Sequence, residues 1–154
     1  MAQVLKVLGE DWPACVFAGR RYCEQERNPQ TGTFAHKWQQ WFENGWFDLL
    51  QGEETFGLIQ RDAYWIGKIV GQKTKVPPAF DTLSLRESRV AVCLVQAKEP
   101  ALYMAMDACD KALKEHGYKV KDGPVLFLER YHPERFNNIQ KNGERILDVC
   151  FFVK

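Results

Sequence analysis

"YWIGKIVGQKTKVPPAFDTLSLRESRVAVCLVQA", residues 64–97, decides how the chain is organised. Its first eight residues, 64–71, are mostly apolar and β-branched, the composition of a strand. Residues 73–81, KTKVPPAFD, are a linker, because consecutive prolines forbid helix and restrict the residue before them. Residues 89–97, RVAVCLVQA, resume as a strong strand.

Working outward from this joint, the same order appears on both sides. Upstream, residues 14–22 read as a strand, and NPQTGT (28–33) is turn chemistry with Thr33 as an N-cap. Residues 34–50 then place Phe34, Trp38, Trp41, Phe42 and Leu49 on one helical stripe, weakened locally by Gly45. Strand 55–60 precedes strand 64–71. Downstream, residues 101–118 form a second amphipathic helix lined by Leu102, Met106, Cys109 and Leu113, with Pro100 at its start and Gly117 as its stop. Strands 125–131 and 146–153 follow, joined by a loop that reads as a hairpin connection or a lid.

Strand–helix–strand–strand, a prolyl link, then strand–helix–strand–strand predicts a duplicated unit with pseudo-twofold symmetry. The first repeat runs from about 12 to 72, the linker from 73 to 81 and the second repeat from about 82 to 154, together one domain. A unit of this size buries a sheet poorly alone, so the halves are expected to join their sheets. The fold class is α+β, a largely antiparallel sheet with helices on one side and a ligand cleft between the halves.

Composition narrows the function. The chain has 154 residues and a net charge of +1, so electrostatics give no reason to expect a nucleic-acid partner. Aromatic residues reach 13%, with five Trp, more ring surface than a small core requires and the material of apolar ligand pockets. The five cysteines form no zinc spacing and read as small hydrophobes in a reducing cytosol. No apolar run approaches the ~20 residues of a membrane span, and the amino terminus lacks the pattern of a signal peptide. A cytoplasmic chain with no membrane association is expected. No metal ligand set, P-loop or dinucleotide fingerprint occurs, so no cofactor is expected, and His36, His116 and His132 share no catalytic spacing.

The strand VLFLERY (125–131) poses the chemical question. Alternation puts Val125, Phe127, Glu129 and Tyr131 on one face, and Leu126, Leu128 and Arg130 on the other. His132-Pro133 stops the strand soon after, and acids at strand ends usually reach solvent. If burial continues to Glu129, its carboxylate must be protonated, paired or hydrogen-bonded. It then serves as a general acid, or as counter-charge to a planar cation stacked on rings. Arg130 reads as solvated or in a surface ion pair.

Segment 62–97 resembles the middle of the GyrI-like small-molecule-binding domain. That family comprises the effector-binding domains of bacterial AraC-type and MerR-type multidrug-responsive activators and the gyrase-inhibitory proteins. Its Y-x-I-G is matched by Tyr64, Ile66 and Gly67. Its V-P-x-G-F is matched by Val76, Pro77 and Phe80, with Ala79 in place of the glycine. Val90-Ala91-Val92-Cys93 stands where Y-A-V-F is expected. Phe127-Leu128-Glu129-Arg130-Tyr131 matches F-E-x-Y with one extra residue. The departures at Ala79 and Cys93 bear on pocket shape rather than fold.

The resemblance implies that Glu129 sits at the centre of a ligand cleft, with Tyr131 beside it and Tyr64 at its border. One of Trp38 and Trp41 is expected to reach that cleft. Phe80 and Phe127, at matched motif positions, complete the candidate ligand-binding set, while Trp65 is expected in the core. The leading expectation is a stand-alone, xenobiotic-binding protein that captures aromatic, drug-like and cationic compounds. The resemblance also admits a hydrolase that opens cyclopropane-bearing genotoxic products. Glu129 would activate water there, and Tyr131 or Tyr64 would steady the developing oxyanion. A third reading, a protein partner such as gyrase, predicts an exposed patch instead of a cleft.

Overall fold

The computed structural model describes residues 2–154. The prolyl link does what its composition imposes: residues 72–80 join no ladder, and pairing resumes at Asp81. The strands are β1 (Gln3–Trp12), β2 (Cys15–Cys23), β3 (Thr55–Gln60), β4 (Ala63–Gly71), β5 (Asp81–Leu85), β6 (Ser88–Ala97), β7 (Val125–Tyr131) and β8 (Arg145–Val153). Helix α1 (Ala35–Glu43) lies between β2 and β3, α2 (Met106–Glu115) between β6 and β7, and the short α3 (Pro133–Phe136) between β7 and β8.

All eight strands form one sheet in the order β1-β6-β8-β7-β3-β4-β2-β5, and every pairing is antiparallel. Exchanging β1–β4 with β5–β8 reverses this order onto itself, which is the expected pseudo-twofold. It also shows a feature the sequence reading did not anticipate. Each repeat begins with an extra strand that it lends to the other: β1 pairs only with β6, and β5 only with β2. The unit is therefore strand–strand–helix–strand–strand, and the halves are interlocked.

Both helices are shorter than their periodicity suggested. The first breaks after Glu43 because Gly45 takes a left-handed conformation (φ 65°), and the chain continues as a 3-10 turn over Trp46–Leu49. Phe42 and Leu49 are consequently exposed instead of continuing the buried stripe. The second begins at Met106, since Ala101–Tyr103 is a separate 3-10 turn, although Leu102, Cys109 and Leu113 are buried as expected.

α1 packs with Trp41 over β2 and β4, against Ala18, Tyr22, Ile66 and Val70. α2 packs with Cys109 and Leu113 over β6 and β8. Both helices thus lie on one face, and the central pair β3–β7 runs between them. The other face curls on itself to close a strand-only core around Phe17, Phe56, Leu58, Trp65, Val92 and Leu128. Trp12 packs edge-on to Phe56 and Phe152 there. Four cysteines are buried and Cys23 is half-buried, all free thiols. No helix among the described residues is long and apolar enough to cross a membrane.

Arg130 is neither solvated nor in a surface pair. It is 7% exposed on the strand-only face and donates from Nε to Asp148 (2.8 Å) and from both terminal nitrogens to Glu10 (2.9 and 3.0 Å). Arg135 grips the same fully buried Asp148. The curl of the sheet brings β1 within reach of β7, and the hydrogen bonds from Arg130 hold the Glu10 carboxyl below its usual range.

A buried pair is costly to break because it leaves an uncompensated charge. Asp148→Asn is expected to lower unfolding free energy in urea by about 3–5 kcal/mol. Asp62→Asn, which breaks an exposed 3.5 Å pair with Arg21, should leave the midpoint unchanged.

Candidate functional site

β7 is clamped between β3 and β8, with Glu129 opposite Gly57 on one side and Val149 on the other. This register turns Phe127, Glu129 and Tyr131 toward the helix-bearing face, midway between α1 and α2. Glu129 is half-buried. Its Oε1 accepts two phenolic hydrogen bonds, from Tyr64 (3.0 Å) and from Tyr131 (3.1 Å). Tyr64 in turn accepts from the indole Nε1 of Trp38 (2.9 Å).

Rings hold this chain of donors in place. Phe34 stacks on Tyr64 at 4.7 Å and 5°, and Trp38 meets Tyr131 edge-on at 4.8 Å. Phe136, brought in by α3, packs against Tyr131, also at 4.8 Å. The geometry supplies hydrogen-bond donors and no cation: among the described residues, no ion pair involves Glu129 and no hydrogen bond reaches Oε2.

Burial raises the Glu129 carboxyl above its ordinary value, and the two phenols only partly offset this. Burial and the charge of Glu129 push both Tyr64 and Tyr131 well above the usual phenol range, so they remain donors. Tyr103, on the 3-10 turn before α2, is raised by burial, by its 2.7 Å bond to Glu99 and by the charge of Glu129.

Gly57 makes the arrangement sterically possible. A Cβ there would stand 2.6 Å from Glu129 Oε1 and collide with the Tyr64 hydroxyl. The sequence reading missed this residue, although a glycine inside a strand signals close approach. Phe136 was also missed, since it lies neither on a strand nor on a continuous apolar stripe.

The structure brings Trp38, Tyr64, Glu129 and Tyr131 together. Phe127 shares their sheet face one step along β7 and packs on Phe151 at 5.8 Å. Trp41 and Phe80 are placed elsewhere. Trp41 is fully buried, stacks on Phe80 at 5.6 Å and donates to Tyr22, so both rings belong to the core under α1. Trp65 is core, on the opposite face. The rings are drawn in over the carboxylate, and two cavities, about 650 and 410 Å3, open elsewhere.

No protein-family model and no curated protein sequence matches the chain. Solved structures do. SAV2435 bound to tetraphenylphosphonium superposes with a TM-score of 0.64 at 16% identity, covering 97% of this chain and 94% of that one. The EcmrR C-terminal domain gives a TM-score of 0.64 at 13% identity, covering 97% of each. An integron cassette protein from Vibrio cholerae gives 0.55 at 11% identity, covering 99% of each. At these identities the likeness is one of architecture. Agreement with such domains over nearly the full length of both chains gives this chain the GyrI-like fold.

Proposed function

We propose that the chain binds small aromatic cations between its two helices, with Glu129 as their counter-charge. The observation that carries this reading is a half-buried carboxylate ringed by aromatic side chains and supplied with no cation among the described residues. Such a charge is held out of water without full compensation. A ligand cation supplies the missing partner, and the faces of Trp38 and Tyr131 add cation–π attraction. Entry requires these half-buried rings to part, while the Tyr64 bond keeps the carboxylate aimed. The tetraphenylphosphonium complex of SAV2435 shows that one protein of this fold accepts an aromatic cation.

A second reading is favoured by the raised proton affinity of Glu129 between two phenols. The carboxylate takes a proton from water as the water oxygen bonds to a strained ring carbon; the ring C–C bond breaks, its electron pair passes to a conjugated carbonyl oxygen of the substrate, and Tyr64 or Tyr131 donates a hydrogen bond to that oxygen. Incubation with a cyclopropane-bearing alkylator, followed by mass spectrometry, separates the readings. Water added by the wild type and not by Glu129→Gln establishes hydrolysis; unchanged ligand recovered from the complex establishes binding alone.

Glu129→Gln should weaken tetraphenylphosphonium about tenfold to hundredfold in calorimetry, while triphenylphosphine oxide, which is neutral, keeps its affinity. Equal losses would remove the counter-charge role. Gly57→Ala should weaken both compounds alike, because it displaces the carboxylate and Tyr64 together.

The pH dependence has a definite sign. The fold favours the protonated carboxyl, so the native state keeps its proton at pH values where the unfolded chain has lost it. Without ligand, stability therefore declines as pH rises through a window beginning near the ordinary value of 4.5. Glu129→Gln should raise the melting temperature at pH 7, and this gain should vanish below that window. Cation affinity should run the other way, falling as pH drops, and should be flat in the variant.

A further inference from the structure

The opposite face of the sheet carries a cavity of about 650 Å3 where the β1–β2 turn, the start of β3 and the end of β7 meet. Its volume lies within the range of small-molecule pockets, roughly 300–1,000 Å3. Its floor is apolar, made by Trp12, Cys15, Phe56 and Ile69. Trp12 is fixed there by edge contacts to Phe56 (6.4 Å) and Phe152 (6.0 Å), and by its 2.9 Å hydrogen bond to Glu10.

The charge around this floor is one-sided. Arg130 lines the cavity, but its guanidinium is already matched by Asp148 and Glu10. Three further carboxylates, Glu53, Glu54 and Glu134, line the cavity, the first and last on exposed residues. Glu54 has only long contacts, 3.7 Å to Arg130 and 3.8 Å to His132. The carboxylates are spread around the mouth, and no group of three converges on a metal position among the described residues.

We infer that this cavity is a second binding site, for a small organic ammonium whose apolar stem lies on Trp12 and Phe56 and whose charge faces the carboxylate rim. A fixed indole beneath an acidic rim suits an ammonium carried on an aryl or alkyl stem. An anion would meet three carboxylates and an arginine with no charge to spare. The site is separated from Glu129 by the sheet itself and does not depend on ligand binding there.

The test uses benzyltrimethylammonium and the full chain carrying Glu129→Gln, which removes the counter-charge on the other face. The Trp12 indole N–H, assigned by its disappearance in Trp12→Phe, is followed by NMR. It should shift and saturate with the ammonium in the Glu129→Gln background. Adding Glu53→Gln and Glu134→Gln, both at exposed positions, should weaken that titration about tenfold. The neutral analogue neopentylbenzene should not show this dependence. An unmoved Trp12 resonance, or an affinity unchanged by removing the rim carboxylates, overturns the proposal.

Discussion

The register of one strand governs everything else. β7 carries an acid and a base side by side, and pleating sends them to opposite faces. Pairing with β3 and β8 fixes Glu129 over Gly57 on the helix side and Arg130 beside Asp148 on the other. A slip of one residue would put the guanidinium among the rings and the carboxylate beside Asp148, so each charge would meet the wrong surroundings. The Arg130–Asp148–Glu10 network therefore locks the register that presents Glu129. Structural stability and the candidate site are adjacent consequences of the same pairing.

The two charges are treated in contrary ways. Arg130 is held by Asp148 and both oxygens of Glu10, and Asp148 is gripped in turn by Arg135. Glu129 receives only phenols. Neutral donors reduce the cost of burying a carboxylate without cancelling its charge, which is why its proton affinity stays raised. A pair made only for stability would resemble the arginine side. Leaving the acid on the helix side without a cation retains part of the cost of its burial.

How much of this was legible in the chain follows from where each signal resides. Strands β2, β3, β4, β6, β7 and β8 are covered on both sides by neighbours, and their apolar runs announced them. The edge strands β1 and β5 did not, because half of each ladder faces outward and residues such as Lys6, Glu10 and Ser84 are tolerated there. Alternation correctly grouped Phe127, Glu129 and Tyr131. It could not tell Trp38 from Trp41, which lie one turn apart on the same helix. Tyr22 and Phe80 claim Trp41 for the core, and Tyr64 and Tyr131 claim Trp38 for the site. Arg130 looked like a strand end since its partner Glu10 lies 120 residues away.

The interlocked topology also explains why the candidate site lies at the middle of the sheet in so short a chain. Each repeat surrenders its first strand to the other, so neither half closes its sheet alone. The two helices cover the outer strands and leave β3 and β7, the joint between repeats, without a helix of their own. Backbone hydrogen bonds are satisfied across that joint, and its side chains on the helix face are covered by rings, among them Trp38, Phe34 and Phe136. A pseudo-twofold axis thus places a pair of strands without a helix of their own at the geometric centre of the sheet. An acid placed there is half-buried beneath rings instead of sealed under a helix.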